Sequence, residues 1–310
     1  MAYNVAGLTA YVDEHKLDLI AASTVGAKTA QMINIQAGIK GSATINIIDS
    51  PVTFQADDCA WNASGTTTFT QRTITVGDIK VNETFCNKDL DGYYLQSMLK
   101  AGANEEARDM PFEQIFMEEK SANMAYELEK AIWQGDTGGA GNLVFFDGLL
   151  KLIDAASPVD GNVDGVTAAT GITVANVIDI MYGVKSVIPE AILDKDDIVI
   201  FCGTDTFRKY EEAIFAANLF HYTSENSDME LPLVGSSNLK VVAVSGLTGT
   251  NRIIAARTSN LYLGVDMAGD EERFDLFYSQ DNRQLRLDVS FKMGTQVAFP
   301  TEVVEFTLVP

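Results

Sequence analysis

Histidine, cysteine and clustered basic residues are all scarce in this 310-residue chain. The two histidines, His15 and His221, have no cysteine or second histidine at metal-ligand spacing. This spacing argues against a zinc site, and it leaves little room for acid–base catalysis by histidine. The cysteines are odd in number, widely spaced and each beside apolar residues: Cys59, Cys86 and Cys202. We expect reduced core thiols, as in a cytoplasmic setting, and no disulfide framework.

Basic residues are also few. The chain has 22 basic and 43 acidic residues, a formal net charge of −21. No Lys or Arg occurs between Gly41 and Gln71, or between Tyr210 and Leu239. Such a surface is unsuited to gripping nucleic-acid phosphate or an anionic membrane. Because no apolar run reaches about eighteen residues and no basic start precedes an apolar core, neither a membrane span nor a signal peptide is expected.

Motifs that carry chemistry are also missing. The glycine-rich stretch 135–141 follows a helix and lacks the Lys and Ser/Thr of a phosphate loop. No G-x-S-x-G nucleophile elbow occurs. Asn87, Asp89, Asp91 and Gly92 imitate the opening of a calcium loop, but Met98 stands where a bidentate glutamate is needed. We therefore predict no catalytic, cofactor-binding or metal-binding residues, no cofactor, and a protein that is not an enzyme.

The longest unambiguous element is a helix predicted over residues 109–134, called the spine helix below. Asp109 is a good N-cap, and Pro111 is tolerated in the first turn. Two apolar stripes have helical spacing: Met117, Met124, Leu128, Ala131 and Ile132 form one, and Phe112, Ile115, Phe116, Ala122, Tyr126 and Trp133 the other. Its mixed charges predict a solvated or interfacial face: Glu113, Glu118, Glu119, Glu127 and Glu129 with Lys120 and Lys130.

The rest of the chain combines helix and strand in an α+β order. Residues 1–40 have too little apolar bulk for a core of their own, which is typical of an arm. Residues 41–86 are rich in β-branched residues around a turn-rich centre, which predicts a long two-stranded excursion. A perfect apolar alternation from Leu285 to Met293 predicts a half-buried strand.

This order of elements resembles the major capsid protein of tailed double-stranded DNA bacteriophages, a capsid fold shared with encapsulins and herpesvirus capsid floors. The similarity is carried by ELEKAIWQGD at the end of the spine helix, by FDGLL, and by LPLVGSSNLKVVAV and ERFDLFYSQDNRQLRLDVS. It covers nearly the whole chain. The resemblance implies five segments: an N-terminal arm 1–40, an extended β-hairpin loop 41–86, a peripheral domain 87–171 containing the spine helix, an axial domain 172–280, and strands 281–310 that return to the peripheral domain.

The resemblance also implies a function. Members self-assemble as hexamers and pentamers into an icosahedral shell that encloses DNA without reading its sequence. They do so in the bacterial host cytoplasm, with separate scaffolding, portal and, in some cases, decoration proteins, and they end in the virion. Some members crosslink the extended loop through a lysine, but residues 41–79 here contain none, so no crosslink through the loop tip is expected. Two alternatives stay open: an encapsulin-like nanocompartment shell, and a soluble calcium- or ligand-binding domain.

Overall fold

A computed structural model describes residues 27–50, 52–57, 64–86, 112–162, 171–219, 229–236, 238–266, 273–282 and 284–308. Several sequence predictions lie outside these residues: those for His15, His221 and Cys59, the calcium-like segment 87–98, and the first residues of the spine helix, 109–111. Among the described helices, none combines the length and hydrophobicity that a membrane span requires.

The described residues form helices, two larger sheets and one two-stranded hairpin. The helices are α1 (Lys28–Met32), α2 (Phe112–Gln134), α3 (Leu149–Ala155), α4 (Val177–Ser186), α5 (Glu190–Leu193) and α6 (Thr204–Ala216). The strands are β1 (Asn34–Gln36), β2 (Ser42–Asp49), β3 (Thr68–Thr75), β4 (Gly77–Cys86), β5 (Val159–Asp160), β6 (Ile198–Gly203), β7 (Glu230–Pro232), β8 (Lys240–Val244), β9 (Ile253–Arg257), β10 (Leu261–Val265), β11 (Arg273–Ser279), β12 (Gln284–Val297) and β13 (Val304–Phe306).

The first sheet is organised around β12. This strand pairs antiparallel with β4, β10 and β11, and β1 adds to β10 in parallel. Its inward side chains are buried at every second position, because a strand alternates its side chains between two faces: Leu285, Leu287, Val289, Phe291 and Met293. The alternation predicted from the sequence is confirmed, and the strand continues to Val297.

The second sheet has the order β5-β13-β9-β6-β8-β7 and is covered on both faces. All six residues of β6 are buried. Val199 and Phe201 point into the core that contains the spine helix. Ile200 and Cys202 point into a second core with α4 and α6. The prediction that Cys202 is a reduced core thiol is confirmed.

The spine helix is α2, roughly 35 Å long at about 1.5 Å per residue. Its first predicted stripe packs inward, with Met117 and Ile132 fully buried. The second predicted stripe is buried unevenly along its length. Trp133 is fully buried, its ring centroid 5.2 Å from that of Phe201, whereas Tyr126 is 49% exposed. The last turn of α2 is inserted between the two sheets, so its burial no longer follows a single stripe.

The sheets cut across the predicted segments. Within 41–86, only β2 and β3 form the hairpin, because β4 belongs to the first sheet through its pairing with β12. Within 172–280, β10 and β11 also join the first sheet, since both pair with β12. Within 281–310, β13 joins the second sheet beside β9. The five segment boundaries stay a prediction; the strand pairing shows which sheet each strand joins.

The described part of the predicted arm, residues 27–40, packs on its own chain. Ala27, Ala30 and Ile33 belong to the core around the spine helix. β1 extends the first sheet, and the Ile39 N–H donates to the Val265 carbonyl at 3.2 Å. The expectation that the arm needs a surface from elsewhere is met for these residues by the same chain.

Candidate functional site

The β2–β3 hairpin exposes large apolar side chains that the described part of the chain leaves uncovered. Its eight paired positions run from Ser42 opposite Thr75 to Asp49 opposite Thr68. Ile48 and Phe69 lie directly opposite each other near the far end, and they are 61% and 75% exposed. A two-stranded hairpin is marginally stable alone. An apolar cross-strand pair in this position is therefore typical of a surface that another molecule covers.

The segment beyond the paired strands continues this surface. Val52 is 78% exposed and Phe54 is 95% exposed. The two legs are held together by polar contacts: the Ser50 and Thr67 hydroxyls lie 2.9 Å apart, and Gln55 donates to the Ser64 hydroxyl. The two legs thus run side by side, and their apolar side chains face outward. We call the four side chains Ile48, Val52, Phe54 and Phe69 the hairpin patch.

The base of the hairpin rests on a pair of glycines in the first sheet. Gly264 and Gly294 are opposite each other in the β10–β12 register. A Cβ added to Gly264 would lie 2.7 Å from Cγ2 of Ile74, and one added to Gly294 would overlap the Thr75 carbonyl oxygen. Because neither glycine has a side chain, the base of the hairpin can pack directly against the sheet here. The Gln296 amide also donates to the carbonyl of residue 73, at 2.7 Å.

A groove of about 420 Å³ separates the spine helix from β4. Apolar side chains form its floor: Ile79, Val81, Met124, Leu128, Phe145 and Phe291. At one end Lys120 forms an ion pair with Glu83 at 2.6 Å and lies 5.4 Å from the Phe85 ring centroid. The groove is open to the surface, so it offers an apolar cleft with a polar rim.

Glu129 departs most clearly from the sequence prediction. It was placed on a solvated face of the spine helix, but it is only 2% exposed. It accepts hydrogen bonds from both the Thr29 backbone N–H, at 3.0 Å, and the Thr29 hydroxyl. Burial raises the pKa of the Glu129 carboxyl, and the hydrogen bonds from Thr29 and Trp133 oppose this rise. One sequence signal was available: Glu129 lies one turn from the apolar positions Ala125 and Trp133.

A second buried carboxyl joins the two cores. Glu305 on β13 is 5% exposed and forms an ion pair with Arg252 at 3.1 Å. Arg252 also binds Asp154 of α3, with Nη1–Oδ2 at 2.9 Å. Burial, with Asp154 and Asp160 nearby, raises the pKa of Glu305 to about 7, although Arg252 opposes the rise. Through Arg252, this cluster connects a helix of one core to a strand of the other.

The turn after the spine helix has no feature of a phosphate site. Gly135 follows the last helical residue, as predicted for a helix stop. Lys151 binds both Asp136, at 2.7 Å, and Asp147, at 2.6 Å. These partners saturate the cation and fix the turn against α3. Among the described residues, no group of three or more His, Cys, Asp or Glu side chains is arranged to hold a metal ion.

Comparison with solved structures identifies the fold. A chain of the satellite phage P4 procapsid matches with a TM-score of 0.62 at 14% sequence identity, over 98% of this chain and 97% of that one. The capsid of an empty GTA particle matches with a TM-score of 0.56 at 10% identity, over 93% and 90%. This chain has the fold of these capsid proteins.

A third match widens the group. A virus-like particle from Pyrococcus furiosus gives a TM-score of 0.52 at 10% identity, over 94% of this chain and 98% of that one. The capsid fold predicted from the order of elements is thus confirmed over nearly the full chain. No protein-family pattern and no curated protein matches the sequence.

Proposed function

We propose that this protein is the major capsid protein of a tailed double-stranded DNA bacteriophage. Its copies associate as hexamers and pentamers and close into an icosahedral shell around the genome. The observation that carries the proposal is the capsid fold over nearly the whole length of both chains, best expressed by the P4 procapsid match. The protein acts by packing and association, as a structural protein rather than an enzyme.

The hairpin patch supports assembly on independent physical grounds. Four apolar side chains, two on a marginally stable hairpin and two just beyond it, are costly in water and become favourable once a neighbouring copy covers them. Contacts between copies in a shell are heterologous and must close into rings. A single contact of about 800 Å² per partner is modest, so the stability of a shell comes from many such contacts at once.

The same proposal assigns regions and partners. Residues 27–40 belong to the arm, β2–β3 to the extended loop, the first sheet with the spine helix to the peripheral domain, and the second sheet with α4 and α6 to the axial domain. Separate scaffolding and portal proteins, with decoration proteins as further candidates, direct assembly in the host cytoplasm, and the product is the virion capsid. The net charge of −21 suits a wall that does not trap DNA. Retention of DNA by empty shells at moderate salt would contradict that last point.

An encapsulin-like shell is the second candidate. The match to the virus-like particle from Pyrococcus furiosus is compatible with such a shell, but it supports a nanocompartment no better than a phage capsid. Neighbouring genes distinguish the two: portal, terminase and scaffold genes indicate a phage, whereas a cargo-enzyme gene indicates a nanocompartment. Both candidates share the prediction that copies of the chain form a closed shell.

Negative-stain microscopy of the purified protein, expressed with and without its scaffold, tests the proposal. We expect shells, tubes or rings of five and six copies, since lattice-forming contacts are built into the chain. Dispersed monomers at high concentration under both conditions would contradict it.

A further inference from the structure

The short helix α1 begins without a cap from its own sequence. Ala27 occupies the N-cap position, and no side-chain hydrogen bond is made there. The first N–H groups of any helix lack intrahelical acceptors and need partners from elsewhere. Here the Thr29 N–H donates to Oε2 of Glu129, which belongs to the spine helix. The cap of α1 is therefore supplied by the spine helix of the same chain, from a residue 100 positions away.

The cap is part of a closed chain of hydrogen bonds. The Thr29 hydroxyl donates to Oε1 of Glu129 and accepts from the indole N–H of Trp133 at 2.7 Å. Glu129 and Trp133 are four positions apart, so they lie on one face of the spine helix. Thr29 and Trp133 are both fully buried. Each of the three groups thus satisfies the polar atoms of the others in a site closed to solvent.

The remaining attachments of this segment are modest. Only Thr29 and Ala30 are buried within α1, a helix of five residues. Lys28 is 3.8 Å from Glu230 and donates to the Met229 carbonyl at 3.5 Å, near the limits of an ion pair and a hydrogen bond. β1 contributes three paired residues. A five-residue helix followed by a three-residue edge strand opens at lower cost than the central strands on which it lies.

We propose that Thr29, Glu129 and Trp133 form a latch that holds residues 27–36 on the spine helix. When the latch opens, this segment detaches as a unit, including the edge strand β1, while the other strands of both sheets stay folded. The inference concerns the single chain and does not depend on assembly. The latch joins the spine helix to the arm segment of the same chain. Opening would expose the carboxylate and the indole N–H to water, which can satisfy both.

The latch responds to protonation through Glu129. The groups that face its carboxylate are Thr29 and Trp133 as donors and Lys28 as the neighbouring cation, with the backbone of Gly246 packed against the same turn. Because burial raises the pKa of Glu129 above 4.5, the docked state binds the proton more tightly than the detached state. Docking is therefore strongest below pH 4.5 and weakens as the pH rises through the raised pKa.

Amide hydrogen exchange of the full chain, followed by mass spectrometry, tests the latch. Thr29→Val removes the hydroxyl and keeps the shape, so we expect the opening equilibrium of residues 27–36 to rise roughly tenfold. Exchange in β6 and β12 should stay unchanged. Ser121→Ala is the matched control, since Ser121 is a buried hydroxyl on the same helix without a hydrogen-bond partner, and it should leave residues 27–36 unaffected.

A second variant keeps the test decisive if Thr29→Val fails to fold. Glu129→Gln retains an acceptor for the Thr29 N–H but cannot ionise. Protection factors of residues 27–36, corrected for intrinsic exchange, should fall with rising pH in the wild-type chain and stay flat in Glu129→Gln. Equal pH dependence in both proteins would overturn the proposal. So would an increase in exchange spread over β6 and β12 to the same extent as over residues 27–36.

Discussion

The strands of the hairpin and of the second sheet are both rich in β-branched residues. The two regions differ in how far these strands are buried. In the second sheet all six residues of β6 are buried, because one core covers each face. In the hairpin, Ile48 and Phe69 face solvent, and Ile74 at the base is among the few buried residues. The first region is complete within one chain. The second is anchored at its base within the chain, while its apolar side chains near the far end are exposed, which fits the proposed contact with a second copy.

The largest effect is expected in the self-sufficient region. Phe201→Ala removes a fully buried ring that packs on Trp133. Truncation of a buried phenylalanine costs about 3–5 kcal/mol through lost burial and the cavity that remains. We expect the free energy of unfolding, measured with urea, to fall by that amount. A loss below about 1 kcal/mol would show that the core around the spine helix does not depend on this contact.

The anchor of the hairpin should be nearly as sensitive. Gly294→Ala places a methyl group against the Thr75 carbonyl, and overpacking of this kind costs about 1–3 kcal/mol. We expect faster amide exchange across β2 and β3, with β6 unchanged. Gly41→Ala is the matched control, because a Cβ at Gly41 meets nothing within 4 Å. Equal exchange in the two variants would show that the glycine pair does not anchor the hairpin.

The connection between the two cores should depend on pH. Glu305 has a pKa raised to about 7, so its proton stabilises the folded state, and this contribution is lost as the pH rises through about 7. One pKa unit corresponds to about 1.4 kcal/mol, and we expect a loss on the order of 1–2 kcal/mol between about pH 6 and pH 8. Urea unfolding at both pH values measures it. Glu305→Gln should flatten the profile; an unchanged profile would assign the pH dependence to other groups.

The smallest effect is expected at the hairpin patch of an isolated chain. Phe69→Ala removes an exposed side chain, and substitutions at such surface positions change stability by no more than about 0.5 kcal/mol. Urea unfolding of the unassembled chain should show no measurable loss. A loss comparable to that of Phe201→Ala would mean that Phe69 already packs within its own chain.

Local pattern was sufficient wherever one chain segment decides the structure. The helix through Gln134 and the alternation of β12 follow from residue spacing alone, and the order of elements led to the capsid fold. The sequence prediction failed where distant segments meet. Glu129 was assigned to solvent because its partner Thr29 lies 100 residues away, and Trp133 was assigned to a second face because the contact with Phe201 cannot be seen in a helical periodicity. The pairing of β4 with β12 also joins distant segments, so residue spacing alone does not predict that β4 lies in the first sheet.

Assembly of two variants at one position tests whether a second copy covers the hairpin patch. Phe69→Asp places a charge in the hairpin patch, and Phe69→Leu keeps the surface apolar at the same position. Both single chains should unfold at the same urea concentration as the wild-type chain. By negative-stain microscopy, we expect Phe69→Leu to form shells or rings and Phe69→Asp to remain dispersed. Shells of Phe69→Asp in wild-type yield would contradict the view that a second copy covers the hairpin.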